Sequence, residues 1–272
     1  MSSWLSNNRI KPKPILKPPK TLVVKHSSGF FSCCSFQLHM LVEFFNKHKE
    51  FPEILDATQQ FEWYRPGTSE SYFTQQPSVS TNNKKAVDFA HYYQYTDYKL
   101  LDYSALKPVI QRYFTLSDEI TNLIKGIEDK YTLDYSNICV LFYRGNDKAI
   151  ETSLCPYSDY IGRARAMLKA NPKTRLLVQS DETEFIEAME TAFPSPQAFH
   201  FKNEIRHIPK SLTTVDKVCA DVFKFSKLYL AITIIMSKAP HIICGTGNCS
   251  MWIALFRGNA NGMQQFLKTS WV

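Results

Sequence analysis

Apolar and polar positions fall in blocks along the second half of the chain, and three of the apolar blocks end alike. Val140-Leu141-Phe142-Tyr143 runs into Arg144-Gly145-Asn146-Asp147-Lys148, Leu176-Leu177-Val178 into Gln179-Ser180-Asp181, and Ile242-Ile243-Cys244 into Gly245-Thr246-Gly247-Asn248. A strand buried on both faces reads as an unbroken apolar run, and open α/β sheets bind ligands beyond the carboxyl ends of such strands. The pattern predicts a parallel sheet whose rim gathers ionic and small polar groups. Helical spacing fills the intervals: about Tyr157 to Ala170, stopped by Pro172; a helix opened by Asp181 with Glu184 as a capping box, ending before Pro194; one helix from Val215 to about Lys238; and a last one from Asn248 carrying Trp252, Leu255 and Phe256.

The first half repeats the alternation less regularly. Thr21 to Lys25 reads as a strand, a turn at Gly29 follows, and Phe36, Met40, Val42 and Phe45 predict a helix from about Ser35 to Lys47. Glu53 to Asp56 reads as a second short strand, the polar stretch 66–85 as a loop or insertion, and Ser104–Phe114 and Ser117–Lys130 as helices. The expected fold class is α/β, in three parts: an arm over 1–20, an N-terminal α/β domain over 21–136, and a C-terminal Rossmann-like domain over 137–272.

Charge changes the picture at one end only. The net charge is +7, but residues 1–20 hold Arg9, Lys11, Lys13, Lys17 and Lys20 with no acid, and without them the rest carries +2. Four prolines in the same stretch (Pro12, Pro14, Pro18, Pro19) predict an extended, solvated arm, with a contact to membrane or nucleic acid as the alternative. A nucleic-acid-binding body is disfavoured, because the basic residues form no motif with interleaved aromatics. The longest apolar run, Leu228 to Met236, is far below the roughly 20 residues of a membrane span. No secretory signal is visible, and the seven cysteines are an odd number without a CxxC. The expectation is reduced thiols, a cytoplasmic location and no metal or other cofactor.

Candidate chemistry lies at the rims. Arg144 presents a fixed positive charge suited to phosphate, or forms a surface ion pair with Asp147. Ser180 and Asp181 either cap a helix or reach a ribose or base. Thr246, Gly247, Asn248 and Ser250 resemble an anion cradle at a helix start. The chain has no Asp-x-Asp to hold a divalent ion on a diphosphate, so Arg144 and helix dipoles would neutralise a leaving diphosphate. Glu151, on the loop after Arg144, is the best-placed carboxylate for a general base, or a solvated loop residue; Asp147 and Asp159 compete. Together these features suggest a polyanionic ligand, a nucleotide sugar.

Arg144-Gly145-Asn146-Asp147-Lys148, followed by Pro156 and Tyr160, resembles the first donor-site motif of the α1,6-fucosyltransferase superfamily, His-x-Arg-Arg-x-Asp-Lys with a downstream Pro and Tyr. Val178 to Glu182 resembles its strand ending in a small hydroxyl residue and acids, and Ile242 to Ser250 its final motif. Gly29-Phe30-Phe31, with Gln37-Leu38-His39, resembles its Gly-rich loop before the first helix. The match spans residues 138–257, in the family's order, and the chain is also similar to fucosyltransferase-like proteins of large DNA viruses. The resemblance implies a GT-B-like fold of two facing Rossmann-type domains, GDP-fucose as donor, a glycan acceptor and metal-independent inversion. It implies that Arg144 contacts the β-phosphate and that Lys148 lies near the sugar and the base, with Gly29 and Phe30 beside the donor. Three departures stand out: Phe142 replaces the motif's histidine, the family's base glutamate aligns with Thr152 rather than Glu151, and its guanine-reading aspartate aligns near Ile232. A transferase using another nucleotide sugar and a non-catalytic nucleotide-sugar-binding protein are the alternatives.

Overall fold

The computed structural model describes residues 20–77, 85–202, 204 and 206–268. The predicted arm therefore lies outside the described residues except for Lys20, whose ammonium pairs with Glu50 at 2.9 Å.

The first half opens with β1 (Thr21–His26), on which Leu22 and Val24 are buried and their neighbours exposed. It pairs in parallel with β2 (Ile54–Gln60), which runs four residues beyond the expected Asp56. Between them α1 (Phe30–His48) begins five residues before the expected Ser35. Phe30, Phe31, Cys33 and Cys34 are all buried, so the first turn belongs to the core, while Phe36 and Met40 pack only at its edge. The stretch expected as a loop holds a short helix α2 (Ser69–Tyr72) and a strand β3 (Phe73–Thr74), which pairs antiparallel with β4 (Thr115–Leu116). Helices α3 (Tyr103–Tyr113) and α4 (Asp118–Tyr131) start on side-chain caps from Asp102 and Ser117, within a residue of expectation.

The second half is a five-stranded parallel sheet. Its strands are β5 (Ile138–Tyr143), β6 (Arg175–Ser180), β7 (Ala198–Phe199), β8 (His241–Gly245) and β9 (Met263–Phe266), in the order β7-β6-β5-β8-β9. All six residues of β5 are buried, as its unbroken apolar run requires. Helices α5 (Tyr157–Ala170) and α6 (Thr183–Ala192) follow β5 and β6. The capping box expected at Asp181 is absent: Glu182 occupies the cap position without a side-chain bond, and Glu184 instead accepts from the Lys210 amide at 2.8 Å. The single helix expected from Val215 is two, α7 (Val215–Val218) and α8 (Val222–Lys238), because Asp221 caps the second by accepting from the Lys224 amide at 2.9 Å. Helix α9 (Asn248–Arg257) starts as expected.

One apolar cluster runs through both halves, from Leu22 and Phe30 to Ile232 and Trp252, because α8 and α9 pack on α1, α3 and α4. Leu141, Tyr160 and Phe185 lead a second cluster on the opposite face of the sheet. All seven cysteines are unpaired. Among the described residues no helix is long and apolar enough to cross a membrane.

Candidate functional site

The strand order defines where a ligand belongs. From β5 the chain winds outward to β6 and β7, then returns to the other side of β5 for β8 and β9, so the switch point lies between β5 and β8. The residues that leave those two strands are Arg144 and the Thr246-Gly247-Asn248 turn. A cleft of about 340 Å³ opens there, closed on the far side by Ser28, Gly29 and Trp63 of the first half. Its size suits a small-molecule ligand.

Arg144 borders this cleft and is held on three sides. Its Nε donates to Asp181 Oδ2 at 2.8 Å, its Nη2 to Asp147 Oδ1 at 2.8 Å, and its Nη1 to the Tyr229 hydroxyl at 3.2 Å. Burial acts against its charge, but Asp181, Tyr229 and Asp147 outweigh that and hold the guanidinium firmly protonated. Asp181 borders the cleft too; its Oδ1 accepts the Gly145 amide at 2.8 Å while Oδ2 holds Arg144, so it braces the end of β5. Ser180 does not border the cleft; its hydroxyl accepts the Glu182 amide at 2.9 Å.

Lys148 and Glu151 face each other one turn further on. Glu151 Oε2 accepts from Lys148 Nζ and, at 3.2 Å, from the Tyr95 hydroxyl. Lys148 is buried, stacks over the Tyr95 ring at 5.0 Å, and donates to Gln94 Oε1 at 3.2 Å. Burial pushes its ammonium below the ordinary lysine value, and Glu151 opposes this. Glu151 borders the cleft, whereas the next residue, Thr152, is buried, its hydroxyl without a partner among the described residues.

The predicted anion cradle is partly filled by the protein. The Gly247 amide donates to the Tyr98 hydroxyl at 3.0 Å and the Asn248 amide to Gln94 Oε1 at 3.1 Å. Asn248 Oδ1 lies 2.7 Å from the Ser35 hydroxyl. Thr246 and Ser250 border a smaller neighbouring cavity rather than the cleft. Gly29 caps α1 at the cleft wall with open space around it. Phe30 also reaches the wall, but its amide donates to the Tyr64 hydroxyl at 2.8 Å and its ring is buried against Phe61 and Tyr72. Ile232 is fully buried in α8. Asp159 lies by Cys155, away from the cleft.

Sequence reasoning missed Gln94, Tyr95, Arg206 and Tyr229. The first two arrive on the helical turn His91–Tyr95, and Tyr229 reads as one more core aromatic in an apolar helix. Arg206 sits in a polar stretch without a motif, yet it is buried at the cleft wall. Among the described residues no group of three or more His, Cys, Asp or Glu is placed to share a metal ion.

No protein-family model matches the sequence, and no curated protein matches it. The fold is similar to solved structures of the NodZ α-1,6-fucosyltransferase. With the NodZ structure soaked with GDP-fucose, the TM-score is 0.50 at 8% identity, over 88% of this chain and 92% of that one. With the form co-crystallised with GDP it is 0.48 at 9% identity, over 89% and 92%. With NodZ from Bradyrhizobium it is 0.47 at 9% identity, over 84% and 88%. At such identities the likeness is one of fold.

Proposed function

We propose that the chain is a glycosyltransferase of GT-B type, with its two halves as facing Rossmann-type domains, that transfers fucose from GDP-fucose to a glycan acceptor with inversion and without a metal. The observation that carries this reading is the pairing, in one switch-point cleft, of an Arg144 guanidinium at the end of β5 with the Glu151 carboxylate on the following turn. The NodZ fold and the donor in that protein's crystals support it.

In this reading Arg144, with its remaining N–H groups, holds the β-phosphate, and Lys148 steadies the sugar end of the cleft. The acceptor hydroxyl attacks the anomeric carbon as the bond from that carbon to the phosphate oxygen breaks. GDP leaves with the electron pair, and the acceptor proton passes to Glu151. Oε1 of Glu151 is the oxygen left for that proton, since Oε2 already accepts from Lys148 and Tyr95. Charge on the departing diphosphate is met by fixed cations.

A transfer and donor-hydrolysis assay with GDP-fucose, run with and without EDTA, tests the proposal. Turnover that survives the chelator is expected; strict dependence on Mg²⁺ or Mn²⁺ would contradict it. A second reading, nucleotide-sugar binding without turnover, is favoured by the same two donors already on Glu151. Donor binding with no transfer or hydrolysis would select it.

A further inference from the structure

Among the described residues, Arg206 is a cation of the cleft without an ion-pair partner. It is 3% exposed, and among the described residues its Nε and Nη1 are enclosed without a hydrogen-bond partner. Among the described residues no carboxylate comes within 4.0 Å of it. Its neighbours differ: Arg144 is paired with Asp147 and Asp181, and Lys148 with Glu151.

The position of Arg206 is built. The Ile208 amide donates to the Asp181 carbonyl at 3.0 Å, and the Thr183 amide to the Ile208 carbonyl at 2.9 Å, which docks this segment on the end of β6. Further along, the Ser211 amide donates to Asn146 Oδ1 at 2.9 Å, tying the segment to the turn that carries Arg144. The guanidinium then lies over the Tyr229 ring, 3.9 Å from its centroid, while the hydroxyl of that ring accepts from Arg144. One tyrosine thus supports both guanidinium groups at the cleft wall.

Burying a guanidinium without a counter-charge is costly, and arginine cannot escape by losing its proton. The aromatic face offsets only part of that cost. An anion from outside the chain offsets the rest, and the planar fork of donors fits a phosphate. Two guanidinium groups on one tyrosine suit two linked phosphates better than one.

We propose that Arg206 binds the diphosphate of the nucleotide sugar, and that it, more than the already neutralised Arg144, supplies the uncompensated positive charge of the site. This rests on reading the cleft as a nucleoside-diphosphate site.

The test uses full-length wild type, Arg206→Gln and Arg206→Lys, titrated calorimetrically with GDP, ADP, UDP and inorganic pyrophosphate, and melted with and without each. Arg206→Gln is expected to bind GDP on the order of 10- to 100-fold more weakly, with part of the loss recovered in Arg206→Lys. Without ligand it should melt no lower than wild type, because an unanswered charge has been removed. A structural role predicts the reverse, a lower melting temperature with undiminished affinity, and failure of Arg206→Gln to fold would likewise overturn the assignment. If Arg206→Gln binds GDP as wild type does, the assignment is wrong and the donor reading stands. If wild type takes ADP, UDP or pyrophosphate in place of GDP and Arg206→Gln loses that binding, the guanine donor falls and the assignment stands. If wild type binds none of the four, both fall.

Discussion

Arg144 and Asp181 meet at 2.8 Å across the ends of two neighbouring strands, one rung beyond the last paired residues, Tyr143 and Ser180. The register of β5 on β6 therefore fixes the salt bridge, and the same carboxylate holds the Gly145 amide. Removing Asp181 leaves the partly buried Arg144 with Asp147 as its one carboxylate and the Gly145 amide without its acceptor. Asp181→Ala is expected to lower stability by about 1–3 kcal/mol, measured by urea unfolding, and to loosen the Arg144 turn. A loss under about 0.5 kcal/mol, the level of an exposed pair, would show that the bridge is incidental.

Arg144→Ala is expected to weaken GDP binding by about 1.5–3 kcal/mol, one charge-assisted phosphate contact. Arg144→Lys keeps the charge but not the fork that joins Asp147, Asp181 and Tyr229, so it should recover little. Calorimetry on folded variants decides, and unchanged affinity in both would remove Arg144 from the donor site.

Glu151→Gln keeps the shape of the side chain and removes the base. Turnover should fall by roughly 10²–10⁴ while GDP affinity is retained. Thr152→Glu, with its side chain placed away from the cleft, should not restore it. Wild-type rates in Glu151→Gln would move the base elsewhere.

A Cβ on Gly145 would stand 2.1 Å from Glu182 Oε2 and 2.8 Å from the Tyr143 ring. Glu182 is fully buried, so its carboxylate could give way only by displacing its packed neighbours. Gly145→Ala is expected to cost about 1–3 kcal/mol through overpacking. In a Glu182→Ala background the cost should shrink, a coupling that a double-mutant cycle reads directly.

Burial lowers the imidazole pKa of His26, His91 and His207 below the ordinary 6.5. The unfolded chain then binds more protons than the folded one, so their contribution to stability is present above about 6.5 and is lost as pH falls through the lowered folded values. Melting temperature should decline from about pH 7 to about pH 5, and less steeply in His26→Gln/His207→Gln. Parallel curves for the two proteins would assign the decline to other groups.

The sheet and its rim were legible because β5, β6 and β8 carry their information locally, as apolar runs that end in polar residues. Arg144 and Glu151 could be nominated because they follow such a run. What stayed hidden depends on contacts distant in sequence. Gln94 joins Lys148 and the Asn248 amide across 54 and 154 residues, and nothing around Gln94 marks it. Phe30 and Phe31 begin α1 early because they pack on Tyr72, Tyr229 and Trp252. Arg206 is conspicuous only for what it lacks, and an absent counter-ion leaves no trace in composition.

Trp252 is fully buried between Phe31, Phe114 and Phe256, and its indole N–H donates to Ser35 of the opposite half at 2.9 Å. Swinging the halves apart as rigid blocks would wet this ring, at about 25 cal/mol per Å² of exposed apolar surface, or roughly 4 kcal/mol for a tryptophan alone. That cost opposes a hinge opening between the halves. The apolar surface a ligand-sized molecule could still cover lies elsewhere, on Trp63, Ile150 and Leu212, which border the cleft 45%, 63% and 69% exposed on three separate segments.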